Sequence, residues 1–178
     1  MEAQESRLLN IKPAAQSDAE TVARIICESF KKQAQLLELT PESCPAYVAF
    51  ETAVGVRRRI ESGTHVTVAL LAGVPIGTVS CLLREDRSCG EIMRLAVLPE
   101  HRGNDHGSVL MAYAEQYLLA QGATAVEISI VAQFQRLQRY YEDLGYSVSD
   151  RRRVSTLPFE LLFLVKQLTK SPPNASAS

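Results

Sequence analysis

Apolar and polar positions change period several times along the chain, and each change marks an element. Leu8 to Lys12 reads as a first strand. Ser17-Asp18-Ala19-Glu20 has the form of a capping box opening a helix, with Val22, Ile25, Ile26 and Phe30 as its apolar face. A second helical region is predicted from Ala46 to Ser62. Strands follow at His65 to Leu71 and Pro75 to Arg84, joined by Ala72-Gly73-Val74 as a hairpin turn. The polar connection Arg84 to Gly90 leads into a short apolar-rich run, Glu91 to Val97, which reads as a buried strand. From Gly107 the period becomes helical through Val109, Leu110, Tyr113, Ala114, Tyr117 and Leu118, and Gln121-Gly122 supplies the stop. A strand at Ala125 to Val131, a helix at Phe134 to Leu144 and strands near Tyr146 to Val154 and Glu160 to Gln167 complete the order. That order predicts an α/β domain with a mixed sheet over residues 1–168. Residues 169–178 form a tail, of which Ser171 to Ser178, rich in Pro, Ser and Ala, is expected to be disordered.

Composition narrows the class of function. The chain has 178 residues, 46% of them hydrophobic, and a net charge of −1, enough for one good core and without electrostatic bias toward nucleic acid or membrane. No stretch approaches transmembrane length, and the polar N-terminus lacks the apolar region of a signal peptide. Cys27, Cys44, Cys81 and Cys89 are scattered, without the spacing of a zinc or redox motif, and read as reduced thiols of a cytoplasmic protein. His65, His101 and His106 show no ligand spacing, so no metal is expected.

The candidate chemistry sits at residues 98–110, where a strand passes into a helix. The first N–H groups of a helix have no intrahelical partner and the dipole there is positive, so an anion is a natural guest. Gly103 and Gly107 let the main chain approach such a guest closely. On these grounds alone an ordinary turn is the favoured reading.

Arg102-Gly103-Asn104-Asp105-His106-Gly107 resembles the acetyl-CoA signature of the GNAT N-acetyltransferase superfamily, Gln/Arg-x-x-Gly-x-Gly/Ala, preceded by the usual Val-x-Pro-Glu. Tyr141-Glu142-Asp143-Leu144-Gly145-Tyr146 resembles the family's Tyr-Glu-x-Leu-Gly-Phe segment, at the expected distance. The resemblance runs from Ile11 to about Lys166. It implies a single-domain GNAT-like fold: a mixed central sheet flanked by helices, whose parallel strands Glu91 to Val97 and Ala125 to Val131 splay apart to admit the cofactor's pantetheine arm. The implied function is transfer of an acetyl group from acetyl-CoA to a primary amine, on a small molecule or a peptide, directly within a ternary complex. The implied cofactor contacts are the main chain of Leu95, Ala96 and Val97, then Arg102, Gly103, Asn104, Asp105, His106, Gly107 and Ser108. Phe134 stands where the family often carries an Asn that touches the cofactor. A homodimer is allowed by the resemblance.

An alkylamine is mostly protonated at neutral pH, so a base must act before nitrogen attacks. Glu91 is the candidate, directly or through water, with a solvated strand-end carboxylate as the alternative. Tyr141 falls where many family members carry the tyrosine that protonates the departing thiolate. Phe134, Leu137, Tyr141 and Leu144 also form one apolar stripe, so a core tyrosine predicts the same residue. Tyr140 is the fallback, on a different side of the helix. For the acceptor, Tyr47, Phe50 and Phe159 are candidate walls. Glu38, Glu42 and Glu51 are surface charges or attractors for a cationic amine. Arg57-Arg58-Arg59 reads as a solvated helix face and Arg151-Arg152-Arg153 as a strand-edge guard, with an acidic acceptor or the CoA 3′-phosphate as alternatives.

Asp105 departs from the signature at its first Gly. It adds a Cβ, sets a negative charge near a pyrophosphate, and offers a carboxylate that can cap the same amides. A second function follows from it: a GNAT-fold ligand-binding or interaction module with weak or no acetyl-CoA turnover.

Overall fold

A computed structural model gives the fold and describes residues 8–85 and 88–169. The elements are β1 (Leu9–Pro13), α1 (Ala19–Leu36), α2 (Ala53–Glu61), β2 (His65–Leu71), β3 (Val74–Leu83), β4 (Cys89–Val97), α3 (His106–Ala120), β5 (Ala125–Val131), α4 (Gln135–Asp143), β6 (Ser147–Arg153) and β7 (Glu160–Gln167). The seven strands form one sheet in the order β1-β2-β3-β4-β5-β7-β6. Only β4 and β5 run parallel, and they pair over three rungs, Cys89 with Ala125, Gly90 with Val126 and Glu91 with Glu127. Beyond that last rung the two strands part. The tail Ser171 to Ser178 lies outside the described residues.

Each face of the sheet carries its own core. On one face Val22, Ile25 and Ile26 of α1 and Val56 of α2 pack on Val66, Val68 and Ala96. On the other, Leu110, Met111 and Leu118 of α3 and Tyr141 of α4 pack on Val79, Ile92, Ile128 and Leu164. A fully buried aliphatic side chain contributes roughly 1.5–3 kcal/mol, so these two layers hold the sheet between helices. Gly90 sets how closely α3 approaches β4. A Cβ there would stand 2.5 Å from Leu118 Cδ1.

Local chemistry moves several expected boundaries. The helical region predicted from Ala46 to Ser62 is broken: a 3-10 turn covers Val48–Phe50, and α2 starts only at Ala53. Thr52 causes the break, because its extended backbone and its Oγ1, which accepts from the Gly55 N–H at 3.0 Å, make it an N-cap. The capping box expected at Ser17 is displaced as well. The chain enters α1 through a 3-10 turn at Gln16–Asp18, and Asp18, rather than Ser17, accepts from the Ala15 N–H at 2.9 Å. The β2–β3 hairpin turns on two residues, Ala72 and Gly73, both at positive φ, so Val74 belongs to the strand.

Candidate active site

The parting of β4 and β5 opens a cleft of about 860 Å³. β4 contributes a bulge to its wall: Met93 pairs with Ser80 and Ala96 with Thr78, so Arg94 and Leu95 together oppose Val79 alone. Arg94 has φ +53, a conformation that L-residues avoid and that is retained where the surroundings impose it. Leu95, Ala96 and Val97 all line the cleft.

Past β4 the chain makes a 3-10 turn at Pro99–His101 and enters the loop before α3. Arg102 turns inward, donating Nε to the Val97 carbonyl at 3.0 Å and Nη2 to the Ser29 carbonyl at 2.7 Å. Arg102 therefore ties the loop to β4 and to α1. Gly103 takes the left-handed backbone, φ +84. Asp105 does the same at φ +57 and occupies the N-cap position of α3, but its side chain makes no capping hydrogen bond. The first helical bond runs from the Val109 N–H to the Asp105 carbonyl at 3.1 Å. The main-chain N–H groups of residues 105–108 donate no hydrogen bond among the described residues. The expectation that the Asp105 carboxylate could fill the anion site is corrected here: its exposed side chain leaves those amides open.

Gly103, Asp105, His106, Gly107 and Ser108 line the cleft, as does Phe134 at the start of α4. Asn104 is not among the lining residues, and its amide reaches back toward the His101 carbonyl at 3.5 Å. Tyr140 and Tyr141 both line the cleft, at different depths. The Tyr140 hydroxyl lies over the start of α3, 3.3 Å from Ser108 Oγ and where a Cβ on Gly107 would meet it at 2.9 Å. Tyr141 is buried, edge-on to Tyr140 at 5.1 Å and to Tyr146 at 5.9 Å. Burial pushes its hydroxyl well above the ordinary tyrosine range, so it stays protonated.

Glu91 stands apart from this group. It is half-buried on the last paired rung, opposite Leu82 and Glu127, and is not among the cleft-lining residues. Glu127 is itself ion-paired to Arg84. Asp105 is the one carboxylate in the lining among the described residues.

The end of the cleft expected to take the acceptor differs most from expectation. Tyr47 and Phe159 line the cleft, edge to face at 5.7 Å, with the Tyr47 hydroxyl donating to Gln33 Oε1 at 3.1 Å. Burial raises the Tyr47 pKa to about 12. Phe50, the third expected wall, packs edge to face on Tyr47 at 6.3 Å but lines a separate small pocket with Cys27 and Leu39 and not the cleft. Glu38 and Glu42 are exposed and outside the cleft. Glu51 is no surface charge: its side chain is 7% exposed, and Oε2 accepts from Arg59 Nη1 and from Arg94 Nε, both at 2.7 Å. Arg59 likewise departs from the solvated face expected of Arg57-Arg58-Arg59, while Arg57 keeps a surface pairing with Glu20 at 3.6 Å. The sequence did carry a signal for Arg94. A charged residue inside the apolar run Glu-Ile-Met-Arg-Leu-Ala-Val needs a partner, and Glu51 is that partner. At the sheet edge, Arg151 pairs with Glu160, and Arg152 with Asp150 while stacking on Phe163, as a strand-edge guard would.

Among the described residues no helix is long and apolar enough to cross a membrane, and no group of three His, Cys, Asp or Glu is placed to hold a metal ion. Comparison with known proteins gives the fold and the cleft a family. An aminoalkylphosphonate N-acetyltransferase of Salmonella typhimurium is 28% identical over 151 residues, covering 83% of this chain and 90% of that protein. Two solved structures share the fold. The PaiA N-acetyltransferase of Thermoplasma acidophilum, in complex with coenzyme A, superposes with a TM-score of 0.74 at 17% identity, over 90% of this chain and 99% of that one. The putative acetyltransferase yncA of Salmonella typhimurium, with acetyl-CoA, gives 0.65 at 20% identity over 94% and 98%. The acetyltransferase (GNAT) family profile matches residues 26–146, and the chain belongs to that family.

Proposed function

We propose that the protein transfers the acetyl group of acetyl-CoA to a primary amine, directly within a ternary complex. The observation that carries this proposal is the set of unpartnered main-chain amides at residues 105–108, opening on a cleft that begins where β4 and β5 part. Such amides at a helix start fit a pyrophosphate. The bulged β4 main chain at Leu95 to Val97 fits the amide-bearing arm that leads from it. When bound, acetyl-CoA supplies the activated acetyl group and a thiol leaving group.

The chain's own groups divide the remaining work. Tyr141, held protonated by burial, donates its proton to the departing sulfur. Glu91, one rung outside the cleft, takes the proton of the acceptor ammonium through water. Asp105 places a charge beside the phosphates without occupying their donors, so it lowers affinity rather than abolishing the site. Acceptors with an aminoalkyl chain and an anionic end are the first class to assay, because one relative bears the name aminoalkylphosphonate N-acetyltransferase.

Thiol release from acetyl-CoA over a panel of primary amines tests this function. Release that depends on the amine and falls in both Glu91→Gln and Tyr141→Phe is the expected result. An unchanged rate in either variant removes that residue from the mechanism, and no amine-dependent release removes the function.

A further inference from the structure

Resting on that acetyl-transfer function, we propose that Arg94 is the specificity-determining residue of the acceptor site and binds the anionic group of a short aminoalkyl phosphonate or phosphate, with Glu51 and Arg59 as its positioning residues. Arg94 lines the cleft from the bulge of β4. Its Nε is fixed on Glu51, while neither Nη donates a hydrogen bond among the described residues. A guanidinium held by one edge with the other free is set to bind a tetrahedral oxyanion by two parallel bonds.

Charge supports the same assignment. Two guanidiniums share one carboxylate, so Arg94, Arg59 and Glu51 together carry an excess positive charge. Arg59 Nε and Nη2 are buried with no hydrogen-bond partner among the described residues. An uncompensated positive charge in a half-buried cluster is costly, and an anion at Arg94 offsets it. The rest of the lining agrees in sign: Lys32, Arg102 and Arg136 stand against Asp105 alone. Arg102 is already bonded to two carbonyls, and Lys32 and Arg136 are exposed, whereas Arg94 is half-buried and held by a carboxylate through Nε alone.

Position separates this site from the phosphates of the cofactor. Val97 lies about 10 Å beyond Arg94 at the ordinary rise of a strand, and residues 105–108 are farther on. An anion on Arg94 therefore belongs to the acceptor. A short chain from that anion brings its amine toward the β4 main chain at Leu95 to Val97, where the acetyl group would lie. Backbone strain at Arg94 is consistent with a side chain whose direction matters.

A matched pair of amines tests the assignment: 2-aminoethylphosphonate and propylamine, with thiol release as readout and acetyl-CoA affinity measured separately by calorimetry. Wild type should prefer the phosphonate by about a hundredfold in kcat/KM. Arg94→Gln should erase that preference by raising KM for the phosphonate, the loss in kcat/KM being at least about tenfold greater for the phosphonate than for propylamine, and Arg94→Lys should keep part of it. In wild type, propylphosphonate should compete with the amine and not with acetyl-CoA, a result independent of how any variant folds. Equal use of both amines, an equal loss for both in Arg94→Gln, or competition by propylphosphonate against acetyl-CoA overturns the assignment and leaves acetyl transfer standing. Turnover of neither amine, nor of any amine in the wider panel, overturns acetyl transfer itself and this assignment with it.

Discussion

The two ends of the cleft are built from different materials. At the cofactor end, one continuous stretch from Leu95 to Ser108 supplies main-chain groups: a bulge, a left-handed glycine and a row of open amides. At the acceptor end, side chains arrive from Gln33, Tyr47, Glu51, Arg59, Arg94 and Phe159, spread over most of the chain. A site made of consecutive backbone tolerates a changed side chain, which is why Asp105 can stand at a signature glycine without closing the cradle. A site made of dispersed side chains has no such tolerance. Its charged members depend on one another for balance, as Glu51 does with its two arginines.

The largest effect should come where the two ends meet. Tyr141→Phe removes the hydroxyl proposed to donate to sulfur and should lower kcat about a hundredfold, with acetyl-CoA affinity unchanged by calorimetry. Because burial raises the Tyr141 pKa, its acid form persists as pH rises, and the rate should show no alkaline loss from this residue up to about pH 10, the ordinary tyrosine value. An alkaline limb that vanishes in Tyr141→Phe would reassign the donor's environment. The next effect is on the cofactor end alone. Asp105→Gly removes a charge and a left-handed non-glycine residue, and should tighten acetyl-CoA about tenfold, equivalent to about 1.4 kcal/mol. The preference between anionic and neutral amines should not change.

Gly90→Ala tests the support beneath the cofactor end. Its Cβ would press on Leu118, displacing α3 from β4, and should cost about 1–3 kcal/mol in thermal or denaturant unfolding. Normal stability in that variant would show that α3 has slack to move. The smallest effect separates position from stability at the acceptor end. Gly55 lies beneath the Glu51 carboxylate, and a Cβ there would stand 2.5 Å from Oε1. Gly55→Ala should favour α2 by up to about 1 kcal/mol, yet raise KM for 2-aminoethylphosphonate a fewfold by displacing Glu51 and, with it, Arg94. A KM that tracks stability instead would deny Glu51 its positioning role.

What the sequence revealed follows the same division. The strand and helix periods at Glu91 to Val97 and after Gly107, and the two motifs around Arg102 and Tyr141, are local patterns, and the sheet and the lining of the cofactor end agree with them. Thr52 is hidden in the sequence because a single hydroxyl outweighs a helical pattern on both sides of it. Glu51 reads as a surface charge because one of its partners, Arg94, stands far away in sequence, outside any local window, and Arg59 reads as one because its partner Glu51 lies across the break in the helical pattern at Thr52. Arg102 matched its motif, yet its guanidinium reaches inward to carbonyls, a direction that only the folded loop decides.

The open amides at the start of α3 are proposed to hold the phosphates of acetyl-CoA despite Asp105. Calorimetric titration of acetyl-CoA into the wild-type protein and Asp105→Gly addresses it most directly. One site per chain is expected in both proteins, tighter in the glycine variant. Absence of heat in both, under conditions where a known CoA-binding protein responds, would contradict it.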